Sequence, residues 1–109
     1  MEKISNQFKQ KLNKLKDKTL ISVLISSRIP ETKLERRLTA EEKSRVSFEI
    51  AKTTIPITNY LSERNIIYSA HCAGLGVILA NLNKKQLYDI VKEDYVAYVL
   101  ENQRVYSIG

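Results

Sequence analysis

The residues best suited to chemistry in this chain are a histidine and a cysteine that stand side by side, His71 and Cys72. A thiolate beside an imidazole is the nucleophile of cysteine hydrolases. The residues around this pair have the composition of a strand, however, and neighbouring strand residues point to opposite faces of a sheet. We therefore expect that the two side chains do not meet, with Cys72 a small core residue and His71 exposed or at an interface.

No other set of residues has the spacing of an active site. The acidic pairs Glu41-Glu42 and Glu93-Asp94 are adjacent, as at a helix start and a helix end, rather than spaced as an acid and a base. The sequence contains no Gly-rich phosphate loop, no Ser/His/Asp set and no Cys/His spacing that suits zinc, and its single cysteine excludes an internal disulfide. We expect a protein that is not an enzyme and that binds no metal and no cofactor.

The first 18 residues differ in composition from the rest of the chain. Six lysines against Glu2 and Asp17 place +4 of the net charge of +6 in this segment. The apolar residues of the segment recur at the spacing of one helix face: Ile4, Phe8, Leu12 and Leu15. A basic arm can bind nucleic acid or an acidic surface. The favoured interpretation is a solubilising, partly frayed helical extension over residues 1–18, ahead of a domain over residues 19–109.

Targeting and membrane signals are absent from the sequence. Residues 1–18 lack the apolar run of about 7 to 15 residues that a signal peptide needs. No stretch approaches the roughly 20 apolar residues of a membrane span. On its own sequence we expect the chain to stay where it is made, in the cytoplasm by default, and not to bind a membrane.

Apolar patterns predict the first half of an α+β domain. Thr19–Ser27 is a continuous run rich in Ile and Val, typical of a central strand. A capping box at Thr39–Glu42 predicts the start of a long helix that continues to about Arg64. Pro56 interrupts this helix, which predicts a kink or two pieces near Thr53–Pro56.

The second half predicts a hairpin, a helix and a last strand. Strand-like runs at Ile66–Cys72 and Leu75–Leu82 surround Ala73-Gly74, where glycine would supply the positive φ of the turn. Lys84–Lys92 is predicted as the second helix and Val96–Leu100 as the last strand. The order βαββαβ is the ferredoxin-like arrangement, usually an antiparallel sheet with both helices on one face. The other sheet face is left for a partner.

RNA-recognition domains share this order of elements, and they stack bases on aromatic residues of their first and third strands. The corresponding runs here, Thr19–Ser27 and Leu75–Leu82, contain no aromatic residue. We therefore expect no specific nucleic-acid binding of this kind, while nonspecific binding by the basic arm stays open.

The last third of the chain has a distinctive series of features. Leu82-Asn83 precede a helix, Lys92-Glu93-Asp94 end it, Val96–Val99 form a strand and an extended tail follows. In this series the chain resembles the second half of the propeptides of subtilisin-like serine proteases, and of the small free-standing inhibitors that share their fold. The helix that contains Thr53, Thr54 and Pro56 also looks like one branch of that family.

The resemblance implies an inhibitor of a subtilisin-like serine protease, which could also serve the enzyme as a folding chaperone. In that family the outer sheet face docks on the enzyme and the tail, here residues 104–109, lies in the substrate cleft like a product strand. On this basis the protease-binding residues are Glu101, Asn102, Val105, Tyr106, Ser107, Ile108 and Gly109. Two registers remain open: Val105 in the fourth pocket with Ser107 in the second and Ile108 in the first, or Tyr106 in the fourth with Gly109 in the first.

One departure from the family concerns the residues just after the last strand. Acidic residues there cap the N-termini of two enzyme helices, whose partial positive charge favours them. Here Glu101 is the only acidic residue, and Asn102 would be a weaker, neutral acceptor. The alternative function is a non-inhibitory ferredoxin-like module that assembles with itself or with another protein through the same sheet face.

Overall fold

The computed structural model describes residues 3–28 and 40–102, apart from the side chains of Ala40 and Lys43. Its helices are α1 (Asn6–Asn13), α2 (Ala40–Thr53), α3 (Ile55–Glu63) and α4 (Lys84–Ile90). Its strands are β1 (Ile21–Ser27), β2 (Tyr68–Ser69), β3 (Val77–Leu82) and β4 (Val96–Glu101). The capping box predicted at Thr39–Glu42 includes Thr39, which lies outside the described residues.

The strands form one four-stranded sheet in the order β2-β3-β1-β4. All three pairings are antiparallel. The first and last strands in sequence are therefore neighbours, and β3 lies between β1 and β2. This α+β architecture with an antiparallel sheet confirms the predicted ferredoxin-like fold class.

The core lies on one face of the sheet, which we call the inner face. In β1 the buried residues on this face alternate along the strand: Ile21, Val23 and Ile25. The register places Ile25 opposite Ile78 on β3 and Val99 on β4. One hydrophobic cluster joins these residues to side chains from three helices, namely Phe8, Leu12, Ile57, Leu61, Leu87 and Ile90. The helices α1, α3 and α4 thus cover the inner face together.

Helix α1 is part of this core. Leu12 is 0% exposed and Phe8 is 5% exposed. The chain just before α1 also runs beside the edge strand β4, where the Val99 amide donates to the Lys3 carbonyl at 2.9 Å. Residues 1–18 were predicted to form a basic helical extension, and in the structure Ile4, Phe8 and Leu12 of this segment belong to the hydrophobic cluster of the sheet.

The predicted long helix is broken where Pro56 requires it. It ends at Thr53, and α3 begins at Ile55 with Pro56 in its first turn, where the missing amide costs no intrahelical hydrogen bond. Two hydroxyls bond the carbonyls of the last turn of α2: Thr53 Oγ1 donates to Ile50 O at 2.5 Å and Thr54 Oγ1 donates to Ala51 O at 2.6 Å. The prediction of two pieces is confirmed.

The connection between β2 and β3 differs from the predicted hairpin. Strand β2 contains only Tyr68 and Ser69, and a 3₁₀ helix at Ala73–Leu75 occupies the predicted turn. The residue with positive φ is Gly76, at φ 76°, rather than Gly74. The predicted bounds of the two strand-like runs, Ile66–Cys72 and Leu75–Leu82, were wrong, because the segment between β2 and β3 reverses direction through a helical turn that ends at Gly76.

Candidate functional site

The second face of the sheet, which we call the outer face, is the candidate site. Cross-strand partners in an antiparallel sheet project to the same side. The register therefore places the following strand residues on the outer face: Ser22, Leu24, Ser26, Ser69, Val77, Leu79, Asn81, Tyr98 and Leu100. They alternate with the residues of the inner face, and Ser26 is the one outer-face residue among them that is buried.

The centre of the outer face is apolar. Leu24 lies on the central strand β1, with Leu79 opposite it on β3 and Leu100 opposite it on β4. One pair further along β1, Ser26 is flanked by Val77 and Tyr98. Tyr98 and Leu100 are 45% and 47% exposed. Leu24, Val77 and Leu79 are half-buried. The result is a continuous apolar strip across three strands that solvent still reaches.

The margins of the outer face are polar but carry no charge. They are formed by serine and asparagine, with Ser22 opposite Asn81 at one end and Ser69 on the edge strand β2. The chain as a whole is 28% charged residues, so a sheet face without Asp, Glu, Lys or Arg is conspicuous. Depletion of charge at an apolar centre is the compositional signature of protein–protein interfaces.

Glu101 lies on the other side of the sheet from this strip. It is opposite Val23, a fully buried residue of the inner face. Its Oε1 atom lies 2.6 Å from Nζ of Lys11 on α1. The carboxylate predicted to contact a protease is therefore held by the domain's own first helix.

Asn102 fixes the end of β4 to the central strand. Its backbone amide donates to Ser22 O at 2.9 Å, and its side-chain Nδ2 donates to Ser22 Oγ at 3.1 Å. The side chain consequently sits at the margin of the outer face. The remaining predicted protease-binding residues, Val105, Tyr106, Ser107, Ile108 and Gly109, lie outside the described residues.

The His71-Cys72 pair lies in a turn between β2 and the 3₁₀ helix, so its expected place on a strand was wrong. His71 is exposed and Cys72 is half-buried. The Cys72 carbonyl accepts hydrogen bonds from the amides of Leu75 and Val77, and these two bonds close the turn. Within residues 3–28 and 40–102 no group of three metal-ligating side chains comes together, and no helix is long and apolar enough to cross a bilayer.

A cleft of about 340 Å³ lies at the β4 edge of the sheet, between α1 and the end of β4. Its lining combines Phe8 and Leu100 with the ion pair of Lys11 and Glu101. The cleft therefore meets the apolar strip only at Leu100.

The sequence predicts an open outer face of the sheet, and the register of the strands identifies the residues on it. A signal was present in β1, where Ser22 and Ser26 alternate with Val23 and Ile25. The apolar Leu24 between the serines hid this alternation, since it made the run continuous.

Comparisons with family models, with curated proteins and with solved structures find no match for this chain.

Proposed function

We propose that this protein is a binding domain that docks another protein on the outer face of its sheet. The observation that carries the proposal is the uncharged apolar strip formed by Leu24, Leu79 and Leu100 across three strands. Burying such a strip contributes about 25 cal/mol for each Å² of apolar surface removed from water. A rigid sheet presents the strip without the ordering cost that a flexible segment would have.

The composition of the outer face favours a protein partner over nucleic acid. Nucleic-acid surfaces need lysine or arginine to neutralise phosphates, and the outer face has neither. Stacking of bases needs aromatic rings on the central strands. The outer face offers Tyr98 alone, and Tyr98 lies on the edge strand β4.

The partner we favour is a subtilisin-like serine protease, which the chain would inhibit. The support is the resemblance over residues 82–99 together with the way β4 ends. Asn102 is held to Ser22 by two hydrogen bonds, so the tail would leave the sheet from a rigid base. A substrate-like inhibitor needs such a base because it preorganises the segment that enters the cleft. By binding only the folded enzyme, the domain would also stabilise that state.

The geometry at Glu101 changes one detail of this proposal. Its carboxylate is paired with Lys11, so the capping of an enzyme helix falls to Asn102. The Nδ2 atom of Asn102 is used within the domain, which leaves the amide oxygen to accept from a helix N-terminus. A neutral cap lacks the charge that interacts with the helix dipole, so this contact would be weaker than in acidic propeptides.

The second candidate is a module that assembles with itself or with another protein through the same face, without protease inhibition. The same observation favours it, since an uncharged apolar face is suited to bury against a second sheet. The two functions differ in what they require of residues 103–109. Inhibition needs the tail, whereas sheet-mediated assembly does not.

The test compares four chains as inhibitors of a subtilisin-type protease and by sedimentation equilibrium: the full chain, a chain that ends at Asn102, and the variants Leu100→Glu and Ile55→Glu. Leu100 and Ile55 are 47% and 50% exposed, so the two substitutions are matched except for the surface they change. Circular dichroism establishes that each chain is folded.

The inhibitor function is supported if inhibition is lost when the tail is removed and if, of the two substitutions, Leu100→Glu alone weakens it. Self-association that survives loss of the tail but not Leu100→Glu supports the module. If Leu100→Glu behaves like Ile55→Glu in both assays, the outer face is not a docking surface and the proposal fails.

A further inference from the structure

The end of α1 and the start of α4 meet at a basic surface that lies away from the outer face. The Nζ atom of Lys84, in the first turn of α4, donates to the carbonyl of Leu15 at 3.0 Å. The same nitrogen lies 3.7 Å from Oδ1 of Asp17. These contacts hold the lysine-rich turn after α1 against α4, although the two segments are separated by more than half the chain.

The two segments joined in this way carry five lysines, which we call the lysine patch: Lys14, Lys16, Lys18, Lys84 and Lys85. Lys14, Lys16, Lys18 and Lys85 are exposed. Across residues 3–28 and 40–102, no ion pair or hydrogen bond engages the ammonium groups of these four. Asp17 is the one acidic residue between Lys14 and Lys18, and Lys84 lies beside it. Asp17 offsets the charge of Lys84, and the other four lysines leave the patch with a net positive charge.

We propose that the lysine patch binds the phosphate backbone of nucleic acid without sequence preference. Nonspecific binding of this kind is supplied by lysine–phosphate contacts and the release of counterions, so it needs charge density and no pocket. The patch has no arginine for bidentate contacts to bases or carboxylates and no aromatic residue for stacking. The inference does not depend on the proposed function of the outer face.

An anionic membrane is the less suitable partner for the same patch. Stable membrane binding takes two signals, such as basic residues together with an inserted apolar face. The apolar side of α1 cannot insert, because Phe8 and Leu12 are buried in the core of the domain. Charge alone remains, which is sufficient for nonspecific nucleic-acid binding and insufficient for stable attachment to a bilayer.

The test measures binding of the full chain to a fluorescent 20-base-pair duplex of random sequence as the salt concentration rises. Neutralising about 3 to 5 phosphates predicts that affinity falls by about 40- to 500-fold between 50 and 200 mM NaCl. The salt slope is the steepness with which the logarithm of the binding constant falls with the logarithm of the salt concentration. The triple variant Lys14→Gln, Lys16→Gln, Lys18→Gln lowers this slope by about 2 to 3. The single variant Lys85→Gln lowers it by about 1, because the patch spans both helices.

A triple control removes the same charge elsewhere: Arg45→Gln, Lys52→Gln and Lys92→Gln, on α2 and just beyond α4. The proposal requires this control to keep the slope of the unmodified chain. If the control lowers the salt slope as much as the patch variant does, the overall charge of the protein and not the lysine patch accounts for the binding. Absence of binding at 50 mM NaCl, or tighter binding to phosphatidylserine vesicles or to polyglutamate than to the duplex, would overturn the proposal.

Discussion

The Nζ atom of Lys11 lies 2.6 Å from Oε1 of Glu101, which links the first helix to the last residue of β4 across 90 positions of sequence. Two further hydrogen bonds join Lys3 to the same part of the chain: the Val99 amide donates to the Lys3 carbonyl, and Lys3 Nζ donates to the Glu93 carbonyl. Strand β4 is at the edge of the sheet. The backbone N–H and C=O groups on the open side of an edge strand can pair with a strand of another molecule. The N-terminal segment covers part of that edge.

Breaking the ion pair of Lys11 and Glu101 should cost little stability. The Lys11 side chain is 56% exposed, so water and salt screen the interaction. We expect Lys11→Gln and Glu101→Gln each to lower the free energy of unfolding by less than about 1 kcal/mol. A double-mutant cycle in urea measures the coupling, which should shrink further in 1 M NaCl. If 1 M NaCl leaves the coupling free energy unchanged, the ion pair is not screened by solvent and the prediction is wrong.

Removing apolar volume from α1 should destabilise the whole domain. Leu12 is 0% exposed and belongs to the same cluster as the sheet residues. We expect Leu12→Ala to cost about 2 to 5 kcal/mol of unfolding free energy. The exposed Gln10 on the same helix provides the control, since Gln10→Ala should change stability by less than about 0.5 kcal/mol. Equal and small effects at both positions would show that α1 is an independent extension.

The two glycines around the 3₁₀ helix should respond differently to alanine. Gly76 has φ 76°, a conformation that costs an L-residue about 1 to 2 kcal/mol. A Cβ atom on Gly74 would lie 3.6 Å from the Cβ of Ser47, which is ordinary van der Waals contact. We expect Gly76→Ala to lower the thermal midpoint by several degrees and Gly74→Ala to leave it nearly unchanged. The reverse order would place the strained turn at Gly74, as the sequence analysis expected.

Stability should fall at alkaline pH through two tyrosines. Burial raises the pKa of the Tyr60 hydroxyl, an effect that the guanidinium of Arg64, 3.6 Å from the ring, partly offsets. Burial, with the nearby Glu93 carboxylate, also raises the pKa of Tyr95. The folded state thus holds protons that the unfolded state releases above about pH 10, so stability is complete below that pH and declines above it.

The double variant Tyr60→Phe, Tyr95→Phe isolates this contribution. Its unfolding free energy, measured in urea at pH 8 and pH 11, should decline less with pH than that of the unmodified chain. The lysines titrate in both proteins and cancel in the comparison. Identical declines would show that neither tyrosine is linked to folding in this range.

Local sequence patterns were sufficient to predict the main helices and strands and their order, but not the helical turn between β2 and β3. Each depends on nearby residues: Pro56 lacks the amide that a continuous helix would need, and the capping box of Asn83 and Gln86 begins α4 within four residues. The α+β fold class follows from that order, since helices and strands in such a series bury their apolar sides by packing the helices against a sheet.

Which surfaces are buried and which are open depends on contacts between segments that are distant in sequence. Leu24 and Ile25 are both apolar neighbours on β1, and only the register with β3 and β4 assigns Ile25 to the core and Leu24 to the outer face. Residues 1–18 give a second example. Their lysines predict a segment exposed to solvent, whereas Phe8 and Leu12 are buried by helices and strands far away in sequence. Burial is a property of contacts between distant segments, and a local pattern in which both faces are apolar carries no information about which of them will be covered.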